Sequence, residues 1–243
     1  MSAINKNPWQ SEGVSILPKS PADLMPLVGQ KELFDRLSRF RDSSLNPSHD
    51  KLSGFFVLHG GWGVGKSRIG HEVCLEAVVD DVDWIVDGKP QRLLEAGLQQ
   101  CILPLFTRYI QVRDGKHGDN LSVDNWIPTV AVEAIARLAE QREGSGKPMA
   151  KNQDRLLDLT VKALRPKGWD KARDRLLEAV NQSDVHQAAK EALGVLKELG
   201  IKHLWLVVDE IEDITDVKSD GLDSEEREPI DQSLLTVVPR VIK

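Results

Sequence analysis

The sequence predicts an α/β fold, and three stretches carry that prediction. Residues 54–59 read Gly-Phe-Phe-Val-Leu-His, a short apolar run suited to a buried strand. They lead through a glycine-rich loop into residues 68–78, where Ile69, Val73 and Ala77 recur at helical spacing. Residues 201–210, Ile-Lys-His-Leu-Trp-Leu-Val-Val-Asp-Glu, form a second apolar run that ends in two acids. Between these stretches lie residues with the period of amphipathic helices.

The loop itself reads Gly60-Gly61-Trp62-Gly63-Val64-Gly65-Lys66-Ser67 and fits the phosphate-binding pattern G-x-x-x-x-G-K-[ST]. Its glycines let the backbone wrap closely enough for N–H groups to face phosphate oxygens. Lys66 supplies a point positive charge for β- and γ-phosphates, and Ser67 a hydroxyl for Mg²⁺. The following helix points its positive dipole end at the same anion. Arg68, next in the chain, counts with the cofactor-binding residues by position. A lone arginine is usually a surface residue, so neither Arg68 nor Arg240 is given a sensor or finger role. At the end of the second strand, Asp209 can hold the hydration shell of Mg²⁺, and Glu210 can polarise a water for attack on the γ-phosphate.

Along the chain, residues 1–26 carry Pro8, Pro18, Pro21 and Pro26 and read as an N-terminal arm or tail ahead of a domain spanning 27–243. Leu33, Phe34, Leu37 and Phe40 predict a helix over about 30–41, and residues 42–53 a polar loop. Residues 80–83 are an acidic break. Trp84-Ile85-Val86 suggest a short strand turned by Asp87-Gly88, and residues 91–100 a short helix or loop. Residues 102–112 favour a strand beginning after Pro104, followed by a Gly-rich polar loop over 113–120. The segment 124–200 is helical. Ile127, Val130, Ala131, Ala134, Ile135 and Leu138 share one face, with Pro128 tolerable in the first turn. Residues 143–148 are a break. Leu156, Leu157, Thr160 and Leu164 suggest a second helix. Val185 to Leu199 carry the clearest apolar stripe, which Gly200 ends. The core of the domain is thus expected in 27–112 and 201–243.

The net charge of −6 argues against a chain-wide nucleic-acid footprint. Lys162, Arg165, Lys167, Lys171, Arg173 and Arg175 cluster around Trp169 and could contact nucleic-acid phosphates with Trp169 stacking on a base. Asp170, Asp174 and Glu178 interleave, which favours a solvated helix pair. Cys74 and Cys101 fall in expected core elements and read as small buried hydrophobes in a reducing compartment. The histidines His59, His71, His117, His186 and His203 show no metal-ligand spacing. Residues 1–10 are polar and lack the apolar core of a signal peptide, and no stretch is long enough to span a membrane. A cytoplasmic location is the expectation.

The two motifs together resemble the Walker A and Walker B signatures of the additional-strand, catalytic-glutamate class of P-loop ATPases, which includes the AAA+ and STAND families. Val28-Gly29-Gln30 resembles the Val-Gly-Arg or Val-Gly-Gln box that lies by the adenine in AAA+ and origin-recognition-like ATPases. Trp62 departs from the common AAA+ loop and looks more like STAND or KAP-type ATPases. The resemblance covers about residues 24–213. More faintly, the arrangement is similar to the ATPase parts of bacterial phage-defence proteins. It implies a P-loop NTPase three-layer αβα sandwich with a mostly parallel sheet of order 5-1-4-3-2 and a helical insertion before the Walker B strand. It also implies ATP and Mg²⁺ as cofactors. Glu210 and Lys66 would be catalytic, Ser67 and Asp209 would hold the metal, and residues 60–68 with Val28 and Gly29 would bind the nucleotide. In that strand order a further strand separates the Walker A and Walker B strands. Beyond Glu210 little is apolar except residues 234–238, so the chain is expected to be a fragment or a truncation, or to complete the sheet with that short run.

Three functions follow as expectations. The first is Mg-dependent ATP binding and hydrolysis that drives conformational change in a larger assembly, with protein partners or self-association, nucleic-acid-linked work or antiphage defence. The second is a low-turnover nucleotide switch or scaffold of STAND type. The third, a small-molecule or nucleotide kinase, lacks an evident arginine-rich lid. A GTPase is disfavoured because no Asn-Lys-x-Asp motif is present.

Overall fold

The computed structural model describes residues 27–45, 56, 58, 65–79, 84–94, 98, 101–122, 125–141 and 153–209. The expected arm (1–26), most of the strand over 54–59, loop residues 60–64, Glu210, Arg240 and the run 234–238 lie outside the described residues. Among the described residues the chain is a mixed α/β structure. In order come β1 (Leu27–Val28), α1 (Lys31–Leu45), α2 (Lys66–Glu76), β2 (Trp84–Val86), β3 (Lys89–Gln91), β4 (Ile102–Arg108), α3 (Tyr109–Arg113), α4 (Trp126–Glu140), α5 (Gln153–Leu164), α6 (Trp169–Val180), α7 (Val185–Glu198) and β5 (His203–Asp209).

The centre is the parallel pair β4–β5, in register from Ile102 opposite His203 to Arg108 opposite Asp209. Parallel neighbours need a crossover connection, and everything from Tyr109 to Lys202 supplies it. Alternation along the strands sorts the core. Leu103, Leu105, Leu204 and Leu206 belong to a cluster with α4, α6 and α7. Ile102 and Trp205 pack instead with Phe34 and Leu37 of α1 and Ile69, Val73 and Ala77 of α2. Helices therefore cover both faces of the pair. The Ile69, Val73, Ala77 face is the one expected from spacing.

Strand β4 starts earlier and stops sooner than expected. The Cys101 carbonyl accepts from the backbone N–H groups of Lys202 (2.8 Å) and His203 (3.1 Å). Odd-numbered residues of β4 thus turn their backbone groups to β5, and Pro104 sits at a position facing away. Its missing N–H costs nothing in this ladder, so the strand runs through it. The strand ends at Arg108, whose N–H donates to Gln111 Oε1 at 3.0 Å and opens α3. Cys101 is not a core residue. It is half-buried and holds φ 68 in the turn ahead of β4. Cys74 is fully buried, as expected.

A second sheet stands apart. β1 pairs parallel with β2, and β2 pairs antiparallel with β3. The hairpin turns on Asp87 (φ 51) and Gly88 (φ 73), both left-handed as a two-residue type I′ turn requires. Among the described residues Trp84–Val86 therefore does not pair with β4 or β5, and the described strands do not make one mostly parallel sheet.

The helices follow their sequence signals. Helix α1 continues through Asp42 to Leu45, where a loop was expected. In α7 the Asp184 side chain accepts from Gln187 N–H at 2.7 Å. At the other end Gly200 (φ 79) donates to Lys197 O, and Ile201 donates to Leu196 O. That is the Schellman ending a C′ glycine provides.

Helix α2 lies close to the strand pair because of Gly70. A Cβ there would meet Val207 Cγ1 at 2.8 Å and Phe106 Cε2 at 3.3 Å. Gly70→Ala is expected to push helix and strands apart and cost about 1–3 kcal/mol, the usual penalty for overpacking. Urea unfolding of the two proteins measures it, and equal midpoints would mean the helix can shift without loss.

Candidate functional site

Helix α2 begins at an unusual N-terminus. Gly65 is the N-cap, with φ 92 and ψ 16, and no side chain caps the first turn. An N-cap ordinarily offers Ser, Thr, Asp or Asn to satisfy the orphan N–H groups. The first turn also contains no acidic residue. It carries Lys66 and Arg68 instead, two cations at the positive end of the helix dipole. Each placement costs the helix a few tenths of a kcal/mol. The helix dipole does not favour that choice, whereas an anion held at the turn would.

The strand pair places Asp209 on the same layer. Phe106 and Val207 face Gly70 of α2, and Arg108 and Asp209 follow them by one same-face step. Ile102 and Trp205, toward the beginnings of the strands, pack in the cluster that contains Ile69, Val73 and Ala77 of α2. Lys66 precedes Gly70 by about 6 Å of helix rise, and Asp209 follows Val207 by about 7 Å of strand rise. Arg108 stands in register beside Asp209. Its strand end is tied to α4, because Gln111 Oε1 accepts from Arg108 N–H and also from Arg137 Nη1.

Val28 and Gly29 sit elsewhere but adjacent. Gly29 N–H donates to Ile85 O at 3.1 Å, and Val28 is largely exposed. Lys31 pairs with Asp87 across the hairpin turn. Through Phe34 and Leu37, α1 packs in the cluster that holds Ile69 and Val73. Lys66, Ser67 and Arg68 thus open α2, Asp209 ends β5, and Val28 and Gly29 lie in and just after β1. Gly60, Gly61, Trp62, Gly63, Val64 and Glu210 lie outside the described residues.

Spacing alone did not reveal three polar residues on α2. Residues 69 to 76 are all buried, so His71, Glu72 and Glu76 are inside. Glu72, 2% exposed, meets Arg68 Nε at 3.4 Å. Burial pushes its carboxyl up, and the Arg68 charge works against that shift. Glu76, also 2% exposed, accepts from Leu93 and Leu94 N–H, both at 2.9 Å. Arg92 Nη2 donates to Glu76 O (2.8 Å) and Val79 O (2.7 Å), which clamps the segment after β3 onto the end of α2. Burial still dominates and raises the Glu76 carboxyl to about 7, although the two N–H bonds and the Arg92 charge pull it down. His71 is 4% exposed, edge-on to Phe106, and neither ring nitrogen has a hydrogen-bond partner. Burial lowers it to about 4. The available signal was the run of apolar residues on every side of these three, which marks a helix covered all round.

The basic cluster around Trp169 lacks the stacking ring considered from sequence. Trp169 is 1% exposed inside the helical core, so its ring cannot stack on a base. Arg173 Nε donates to Ala139 O at 2.8 Å, and Arg175 holds Glu198. The described histidines do not converge. His117 Nε2 lies 2.9 Å from Val180 O, and His186 Nε2 2.8 Å from Asn125 Oδ1. Among the described residues no group of three or more His, Cys, Asp or Glu could hold a metal ion, and no helix is long and apolar enough to cross a membrane.

No protein-family model, curated protein or solved structure matches the chain significantly.

Proposed function

We propose that the chain binds Mg-ATP at the first turn of α2 and hydrolyses it within a P-loop αβα domain. The observation that carries this reading is the first turn itself. It starts on a left-handed glycine, lacks a side-chain cap and an acid, and holds Lys66 and Arg68 where a helix disfavours cations. Such a turn is an anion site by construction. The glycine-rich residues before it supply further N–H groups for phosphate oxygens. Ser67 and Asp209 would hold Mg²⁺, both oxygen donors of the kind a hard cation takes. Arg108, in register with Asp209, adds positive charge beside it.

Hydrolysis requires a group that polarises water, and Glu210, next after Asp209, is that group in this reading. Glu210→Gln keeps size and loses the carboxylate. It is expected to retain Mg-ATP affinity within about threefold while turnover falls at least about tenfold. Calorimetric titration with Mg-ATP and phosphate release over time measure both. Turnover equal in the two proteins would remove Glu210 from the reaction. Binding without turnover in the wild type would leave a nucleotide switch rather than a hydrolase.

A further inference from the structure

Lysines from three parts of the chain gather at one end of the helical layer. A Cβ on Gly168, just before α6, would meet Leu199 Cδ2, just after α7, at 4.0 Å, and Arg175 of α6 holds Glu198 of α7. The start of α6 therefore lies against the end of α7. Lys167 and Lys171 flank Gly168, Lys197 and Lys202 flank Leu199, and Lys162 stands in the last turn of α5, ahead of the turn Arg165–Lys167. Lys167 is half-buried and the other four are exposed. None of them makes a hydrogen bond or ion pair among the described residues. The acids around them are engaged elsewhere, Glu198 by Arg175, Asp174 by Arg173 and Asp158 by Gln141, which leaves Asp170 close to the lysines. Lys162 and Lys197 sit in last turns, where the helix dipole favours a cation. Lys167, Lys171 and Lys202 answer no such local need.

We propose that this end of the helical layer is a docking surface for the phosphate backbone of a double-stranded nucleic acid, with Lys162, Lys167, Lys171, Lys197 and Lys202 as its phosphate contacts. Backbone phosphates ask only for well-placed positive charge, whereas a protein or a membrane also needs apolar anchors. Among the described residues the exposed large hydrophobics are Val28, Ile110 and Leu193, and of these Leu193 alone is near, one turn from Lys197. Single strands are held largely by aromatic rings stacked on their bases. Trp169 is 1% exposed and offers no such ring, so the higher charge density of a duplex decides the preference. The chain as a whole carries a net charge of −6, so attraction comes from this local field. The surface works independently of the nucleotide site.

Fluorescence anisotropy tests it, with the full chain titrated into a labelled DNA duplex of about 20 base pairs, the matching RNA duplex and the single DNA strand, at about 25–200 mM KCl. A duplex is expected to bind with a Kd of about 1–100 μM near physiological salt. The logarithm of the binding constant is expected to fall against that of salt with a slope of about −3.5 to −4.5, from four or five contacts at about 0.9 each. The triple variant Lys167→Gln/Lys171→Gln/Lys202→Gln is expected to lose about 2.7 of that slope and to bind at least about thirtyfold more weakly at low salt. Lys89→Gln, on the hairpin between β2 and β3, is expected to change neither quantity. Melting temperature checks the fold of each variant, and the wild-type slope remains decisive even where the triple variant fails to fold. Comparison of the two duplexes tells which sugar the surface accepts, and binding of either supports the proposal. A wild-type slope shallower than about −2 overturns it. So does a single strand held more tightly than both duplexes, a triple variant that binds like wild type, or a Lys89→Gln loss as large as the triple variant's. Failure of both duplexes to bind also overturns it, and capture by phosphatidylserine-containing vesicles in their place would make this end a lipid surface.

Discussion

Lys66→Ala is expected to weaken Mg-ATP binding by about a hundredfold, or about 2.7 kcal/mol. A hydrogen bond to a charged group contributes about 1.5–3 kcal/mol, and the ammonium would meet both β- and γ-phosphate oxygens. The same substitution is expected to leave the nucleotide-free protein as stable as before, or more so by up to about 1 kcal/mol. It removes a cation from the positive end of α2 and installs the best helix former. The two signs together are diagnostic. A residue that matters for folding loses stability and affinity in parallel, whereas a residue kept for a ligand loses affinity and gains stability. Titration with Mg-ATP and urea unfolding without nucleotide give the two numbers. Equal affinity in wild type and variant would end the anion-site reading of this turn.

The sequence made the elements far more legible than their arrangement. The stripe that forms α7 was readable because that helix buries one face and exposes the other; α4 was readable from its apolar spacing although it is covered nearly all round. Gly200 was readable as the stop because only a left-handed residue closes that turn. The strand over 203–209 was readable because a short continuous apolar run suits a buried strand. Sheet partnership was not readable. The β1–β2–β3 sheet and the β4–β5 pair are both built from short apolar runs, and nothing local in Trp84–Val86 says which it will join. Pro104 misled because its missing N–H was charged against the strand, when register shows that position facing away from β5. Trp169 looked available for stacking among six basic residues, yet a large apolar ring at the start of an amphipathic helix is worth more in the core. At the candidate site, the loop motif pointed to Lys66 and Ser67, which open α2. The buried Glu72, Glu76 and His71 became visible only when strands and helices were found on every side of α2.

Those buried groups also set an expected pH response. His71 is held neutral in the fold, at about 4 against 6.5 for the free imidazole. The unfolded chain therefore takes up a proton below 6.5 that the fold refuses. This group costs stability as pH falls from 6.5 toward 4, by up to about 3 kcal/mol. Glu76 is displaced the other way, to about 7 against 4.5. The unfolded chain releases a proton above 4.5 that the fold retains, so this group costs stability as pH rises from 4.5 toward 7, by a similar amount. Between 4.5 and 6.5 the two slopes oppose each other, and their contributions nearly cancel in the wild type. Each single substitution unmasks the other group. His71→Phe, which also removes a buried ring without hydrogen-bond partners, is expected to lose stability relative to wild type as pH rises from 4 to 6.5. Glu76→Gln keeps an acceptor for the Leu93 and Leu94 N–H groups without a charge. It is expected to gain stability relative to wild type as pH rises from 4.5 to 7, reaching about 3 kcal/mol near pH 8. Urea unfolding of the three proteins at half-unit steps from pH 4 to 8 resolves these differences, since every other titrating group cancels in the comparison. Parallel profiles would mean that neither side chain is as dry as its place on α2 requires.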